Sequence, residues 1–263
     1  MKQMQQYLQG KSPDPALCED TIFQNDHFIA VIDGVTTKGS RLYNGMTGGA
    51  FAADVLCKAL DHMKTDAAAA EVILALNKAL RSAVCEDASP EDRPQANIVI
   101  FSRDKSEIWL FGDCQFMVDG DVFAFPKEVD LLLASLRAFI AQDLIRQGMM
   151  PEEAATESRE QIMPYLKMQL CFANSTGPYG YDVLDGGNIN TDHIRIVPVR
   201  SGIHVVLASD GYPKLFETLE ESEQYLREML ERDPYCINEN RQTKGLSEGN
   251  LSYDDRAYIS FRV

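Results

Sequence analysis

The sequence predicts an α+β fold in which antiparallel sheets carry helices on their outer faces. Two observations predict it. Strand-like and helix-like segments come in blocks and not as βαβα units. The short strands are separated by tight polar turns, as antiparallel neighbours are. Apolar residues make up 45 % of 263 positions, enough for one large core, and charged residues make up 25 %, which argues against disorder. No internal repeat, low-complexity tract or linker divides the chain, so residues 1–263 are expected to form a single domain.

Phe28-Ile29-Ala30-Val31-Ile32 is an apolar run that ends at Asp33-Gly34, the pattern of a buried strand stopping in a turn. Residues 21–25 are its expected antiparallel neighbour. Over residues 46–63, Phe51, Val55, Leu56, Ala59, Leu60 and Met63 recur at helical spacing. A second helix is predicted over 67–85, with Val72, Ile73, Leu76 and Leu80 on one face, then an acidic, Pro-containing loop over 86–94. Strands follow at 97–102, 107–111 and 115–118. Residues 129–167 read as two helices broken near 148–151, with Pro164 expected to end or kink the second. Residues 174–192 hold four glycines and read as a long surface loop, a substrate flap or a disordered spacer. Residues 194–199 and 203–208 are predicted to form a hairpin across Arg200-Ser201-Gly202. A helix over 218–232, a polar loop over 233–249 and a closing strand over 256–263 complete the pattern.

A formal net charge of −15 excludes general binding to nucleic acid phosphates, and it would repel a phosphate ester unless a local cation inverted the field. No apolar run is long enough to cross a membrane. The polar, Gln-rich residues 1–10 do not read as a signal peptide. The six cysteines show no CxxC pair and are expected to be reduced and mostly buried, in a cytoplasmic protein. The four histidines lack the spacing of a zinc site.

Chemistry concentrates at strand ends. One strand leads into Asp33-Gly34 and another, through Ser209, into Asp210-Gly211; Asp254-Asp255 immediately precedes the last strand. Glu19-Asp20 precedes the first, and Asp113 lies between two strands. Each Asp-Gly alone is an ordinary turn. Together, carboxylates held by rigid strands can converge, and Mg2+ or Mn2+ would cancel their repulsion, since both prefer oxygen ligands.

The ordered set, from Cys18 to the C-terminus, resembles the PP2C family of metal-dependent Ser/Thr phosphatases. Ala208-Ser209-Asp210-Gly211 is similar to the family's SDG motif and Phe111-Gly112-Asp113-Cys114 to its GDS motif. Gly48, Gly49, Ala50 and Ala53 match the small residues opening its first helix. The resemblance implies a four-layer α-β-β-α sandwich with two central antiparallel sheets. It also implies a two-metal mechanism in which activated water attacks phosphoserine or phosphothreonine of a protein substrate. Asp33 would bridge two Mg2+ or Mn2+ ions, the Gly34 carbonyl would ligate one, and Asp210 and Asp254 the other. Glu19 and Asp20 would hold metal-bound water, and Asp113 would serve a third, weaker ion.

The sequence also departs from the family. The Arg that usually precedes the acidic pair is replaced by Pro15, with Lys11 nearby on what reads as a solvated tail. The usual His after the first Asp-Gly is absent. Lys38 and Arg41 are the candidate phosphate-binding cations there, and Asp255 stands where Asn is usual. Two alternatives follow: a catalytically weak PP2C-like pseudophosphatase acting as a regulatory binding module, or a phosphatase of a small metabolite.

Overall fold

In the computed structural model, which describes residues 4–85 and 87–263, ten strands form two five-stranded antiparallel sheets. One sheet has the order β2 (Thr21–Gln24), β3 (Phe28–Gly34), β4 (Ala96–Ser102), β5 (Glu107–Phe111), β8 (Arg195–Pro198). The other has the order β1 (Gln5–Gln9), β10 (Arg256–Arg262), β9 (His204–Ala208), β6 (Gln115–Val118), β7 (Asp121–Phe123).

The pleat explains why residues 28–32 are apolar without a break. Ile29 and Val31 face the opposite sheet and meet Val205, Leu207 and Ile259 in the core between the sheets. Phe28, Ala30 and Ile32 point outward, onto α1 (Gly48–Asp61) and α2 (Ala69–Ala83). A strand covered on both faces carries no polar alternation. On the second sheet, Met117, Val206, Ala208 and Tyr258 point outward against Tyr212, Leu215 and Leu219, the first residue of α5 (Leu219–Arg232). The layers therefore run helix, sheet, sheet, helix, as the resemblance implies. Two further helices, α3 (Glu128–Arg146) and α4 (Pro151–Met168), pack on each other through Val129, Leu133, Ile162 and Leu166, and against Val35, Tyr181 and Val183.

Several expectations are corrected. Residues 194–208 are not a hairpin: β8 pairs with β5, while β9 pairs with β10 and β6 in the other sheet. The turn at Gly202 (φ +86°) carries the chain between sheets, with Val199 and Val205 in the shared core. Periodicity reports which side chains are buried, not which strand they pair with. The polar N-terminal stretch contains β1, and β7 follows β6; both are edge strands of one sheet, and edges tolerate polar residues. Helix α4 runs through Pro164 to Met168 instead of ending there; Pro164 is on its exposed face while Ile162 and Leu166 anchor the other.

Residues 174–192 are neither spacer nor simple surface loop. Val183 and Leu184 are fully buried, Leu184 exchanges backbone hydrogen bonds with Ala96, and Asn77 and Arg81 hold the Gly186-Gly187 backbone. Of the six cysteines, all free, only Cys114 and Cys236 are buried, while Cys85 and Cys171 are exposed. The expectations for 1–10 and 86–94 fall in part on residues 1–3 and 86, outside the described residues. Among the described residues no helix is long and apolar enough to cross a membrane.

Candidate metal centre

Three acids from distant parts of the chain meet at one end of the sandwich. Asp33 is the penultimate residue of β3, Asp113 lies on the link that carries the chain from β5 to β6 in the other sheet, and Asp210 lies just after β9. Their carboxylate oxygens lie within 4.8 Å of one another. The link is possible because Gly112 sits at φ +99°, where a Cβ would come within 2.7 Å of the Cβ of Asn97. Asn97 is the register partner of Asp33. The acids open into a cavity of about 360 Å3 that is also lined by Lys11, Lys38, Lys127, Arg159, Lys244 and Asp254.

The charges are frustrated as they stand. Burial, then Asp20, Asp113 and Asp254, push the Asp33 carboxyl well above the usual carboxylate range, with Lys127 opposing. Asp210 touches solvent through the cavity, yet protein surrounds it on its other sides; burial, then Asp33 and Asp113, raise it likewise. Asp20 is 3 % exposed and raised by burial before any other cause, although a Ser209 hydrogen bond opposes the shift. Asp20 Oδ2 and Asp113 Oδ1 are buried without a hydrogen-bond donor. Hard oxygen donors left unsatisfied beside mutually repelling carboxylates are what a divalent cation satisfies. The residues present therefore fit Mg2+ or Mn2+.

Glu19 and Asp255 are structural organisers of this end. Glu19 accepts from Thr47 at 2.7 Å, from Lys11 at 3.2 Å and from the Thr36 hydroxyl. Thr47 also caps α1, whose Ala50 N–H it accepts at 3.3 Å. Buried Asp255 accepts from the Lys11 backbone N–H at 2.7 Å, from its Nζ at 2.8 Å and from the Glu19 N–H at 3.3 Å. Lys11 is thus no solvated tail lysine; its ammonium ties the chain's two ends together. The pairing of Asp255 with Lys11 is not legible from spacing, because 244 residues separate the partners.

Two lysines that the sequence did not single out hold proposed ligands. Lys127 Nζ lies 2.7 Å from Asp113 Oδ2, with both side chains nearly buried, at 9 % and 6 % exposure. Burial works against its charge, but Asp113 and Asp130 outweigh that and hold the ammonium above its ordinary range. Lys244 Nζ lies 2.6 Å from Asp254 Oδ1. Burial would raise Asp254, but Lys244 and Lys11 bring it below the usual value. Asp254 lines the same cavity without joining the closest group, which Asp113 forms with Asp33 and Asp210.

The Lys127–Asp113 pair has a measurable consequence. Lys127→Met leaves a buried carboxylate without its cation, and in chelator it costs about 3–5 kcal/mol in urea unfolding. Adding Asp113→Asn recovers most of that loss; if the double variant is no more stable than Lys127→Met, the pair is not the source.

Lys38 lines the cavity and donates to the Thr36 carbonyl at 2.8 Å. Burial first, then Arg159 and Lys244, pull its ammonium down to about 8. Arg41 is placed elsewhere: it is not among the cavity-lining residues, its guanidinium pairs with exposed Asp87 at 3.1 Å, and it stacks over Tyr43. Arg159, on α4, lies in a segment where the sequence showed no motif.

No protein-family model matches the sequence, and no curated protein matches it. Solved structures do match in fold. The serine/threonine phosphatase PstP/Ppp of Mycobacterium tuberculosis is 16 % identical, with 98 % of this chain and 97 % of that one covered at a TM-score of 0.51. The catalytic domain of PstP in complex with two manganese ions is 16 % identical, with 99 % and 98 % covered at 0.52. The PPM Ser-Thr phosphatase MsPP of Mycobacterium smegmatis, in complex with cacodylate, is 13 % identical, with 100 % and 98 % covered at 0.51. The chain has the fold of the PP2C (PPM) phosphatases.

Proposed function

We propose that the protein is a divalent-cation-dependent phosphatase acting on phosphoserine and phosphothreonine in proteins. The observation that carries this reading is the convergence of Asp33, Asp113 and Asp210 from both sheets to within 4.8 Å, beside buried oxygens that lack donors. The manganese pair bound by PstP, a protein of the same fold, supports it.

Asp33, the Gly34 carbonyl, Asp113, Asp210 and Asp254 would hold two Mg2+ or Mn2+ ions, with Glu19 and Asp20 behind them. Bound, the ions would neutralise the acids and act as Lewis acids on phosphate and water. The chain's own residues keep the acids in place: strand β3 presents Asp33 from a fully buried run, and Lys127 fixes one oxygen of Asp113. None of the six cysteines is implicated as a nucleophile, and the nearest, Cys114, is pushed far above its ordinary range by burial and then by Asp33.

Hydrolysis of p-nitrophenyl phosphate and of phosphoserine peptides by protein in Mn2+, against protein in excess EDTA, tests this. The expected loss in EDTA is at least about 100-fold. Equal rates in EDTA would sink the reading. Hydrolysis of small phosphate esters but of no phosphopeptide would point to a metabolite phosphatase instead.

A second reading has its own observation. Lys127 and Lys244 already bond two of the acids, so ammonium groups do part of the work of a metal. A regulatory binding module of the same fold would behave in this way. Calorimetric titration with Mn2+ separates the two: no binding at millimolar concentration favours the module.

A further inference from the structure

The cavity holds cations that the acids do not account for. Lys11, Lys127 and Lys244 each pair with a carboxylate. Half-buried Lys38 and Arg159 form no such pair among the described residues. Each donates instead to a backbone carbonyl, Lys38 to Thr36 at 2.8 Å and Arg159 to Thr243 at 2.6 Å. Burial lowers both from their ordinary values, and Arg159 and Lys244 are the charges that lower Lys38 further. Lys38 thus sits in the field of two further cations that line the same cavity, with Asp130 and Glu19 offsetting them only in part, although partial burial makes an unpaired charge costly.

This wall is held rigidly. The guanidinium of Arg137, 1 % exposed, donates to the carbonyls of Tyr235, Cys236 and Gln242 at 3.1, 3.3 and 3.0 Å, which fixes the loop that leads to Lys244. Arg159 clamps the same loop at Thr243. Lys38 sits on the segment after Asp33-Gly34. Two ammonium groups and a planar guanidinium fork, of which only Lys244 is bonded to a carboxylate, line the same cavity and match the oxygens of a phosphate dianion.

We infer that Lys38, Arg159 and Lys244 form an oxyanion subsite that grips the phosphate of the substrate within the cavity of the acidic group. The choice of a phosphate monoester as ligand rests on the phosphatase reading; the subsite itself does not require the metal. It is therefore tested without one. Inorganic phosphate is titrated into the full chain in excess EDTA, followed by calorimetry and by 31P line width. The protein is expected to bind phosphate saturably, and more weakly as salt rises. Lys38→Met and Arg159→Gln are each expected to weaken binding at least about tenfold. Because Arg159 also clamps Thr243, Lys38→Met, which loses only the bond to Thr36, is the cleaner variant, and its unchanged melting temperature is the control for folding. Absence of phosphate binding in EDTA, or wild-type affinity in both variants, overturns the subsite. The two readings fail separately. Phosphate binding in EDTA without any hydrolysis in Mn2+ removes the phosphatase and keeps the subsite. Hydrolysis in Mn2+ with an unchanged KM in both variants removes the subsite and keeps the phosphatase.

Discussion

Asp33→Asn is expected to abolish the proposed cation-dependent ester hydrolysis, by at least about 1000-fold in kcat, and at the same time to raise the melting temperature of the chelator-treated protein. The first effect follows from where Asp33 stands: it is the strand-held member of the group of three, and a loss of about 4 kcal/mol of transition-state stabilisation corresponds to that factor. The second follows from the same position. Burial and the charges of Asp20, Asp113 and Asp254 all disfavour its ionised form, so a neutral amide of equal size removes repulsion and leaves no void. In a domain of this size about 1 kcal/mol moves the midpoint by roughly 2–4 °C. In excess Mn2+ the order reverses, because the wild-type chain gains ligation that the variant lacks. Thermal melts of both proteins, with EDTA and with Mn2+, read all four values. A variant that melts below wild type in EDTA, with no shift of wild type by Mn2+, would show that the acids are not waiting for a cation.

Much of this centre was legible because strand ends are legible. An apolar run stopping at Asp-Gly declares both a buried strand and the place where its last side chain leaves the core, so Asp33 and Asp210 stood out individually. Their convergence came only through the ordered set and its resemblance, since the two residues belong to different sheets. The strand blocks were legible wherever both faces are buried, as in β3 and β4, and illegible at the edges β1 and β7, where polar residues suffice. The crossing at Gly202 looks like a hairpin in the sequence because a tight turn between apolar segments has the same local signature whether the strands pair with each other or with others. The cations were the hardest part. Lys127, Arg159 and Lys244 lie on a helix cap, a helix and an irregular loop, where a lone basic residue is ordinarily solvated. Only the folded chain shows them facing inward.

Gly34→Ala is expected to destabilise the acid-bearing end of the sandwich strongly, although it touches no charged group. A Cβ at Gly34 would lie 2.5 Å from the Gly49 carbonyl oxygen and against the Glu19 carbonyl oxygen, which accepts the Gly34 N–H at 3.2 Å. Both obstacles are backbone, one in the first turn of α1 and the other in the segment entering β2, so neither can rotate away. Relief requires α1 to move off the end of β3, which unpacks Ala52, Ala53 and Leu56 from Ala30 and Ile32. The expected cost is about 3 kcal/mol, or roughly 6–12 °C in melting temperature. Gly49→Ala attacks the same gap from the other side, with a Cβ 2.7 Å from the Gly34 carbonyl carbon and 2.8 Å from Glu19 Oε1. Because one displacement of α1 relieves both clashes, the double variant should lose clearly less than the sum of the singles. Urea unfolding of the three variants measures this coupling. Strict additivity would mean that strand and helix yield independently, and the close approach of Gly34 to Gly49 would then not be what sets the acids at this end of the sandwich.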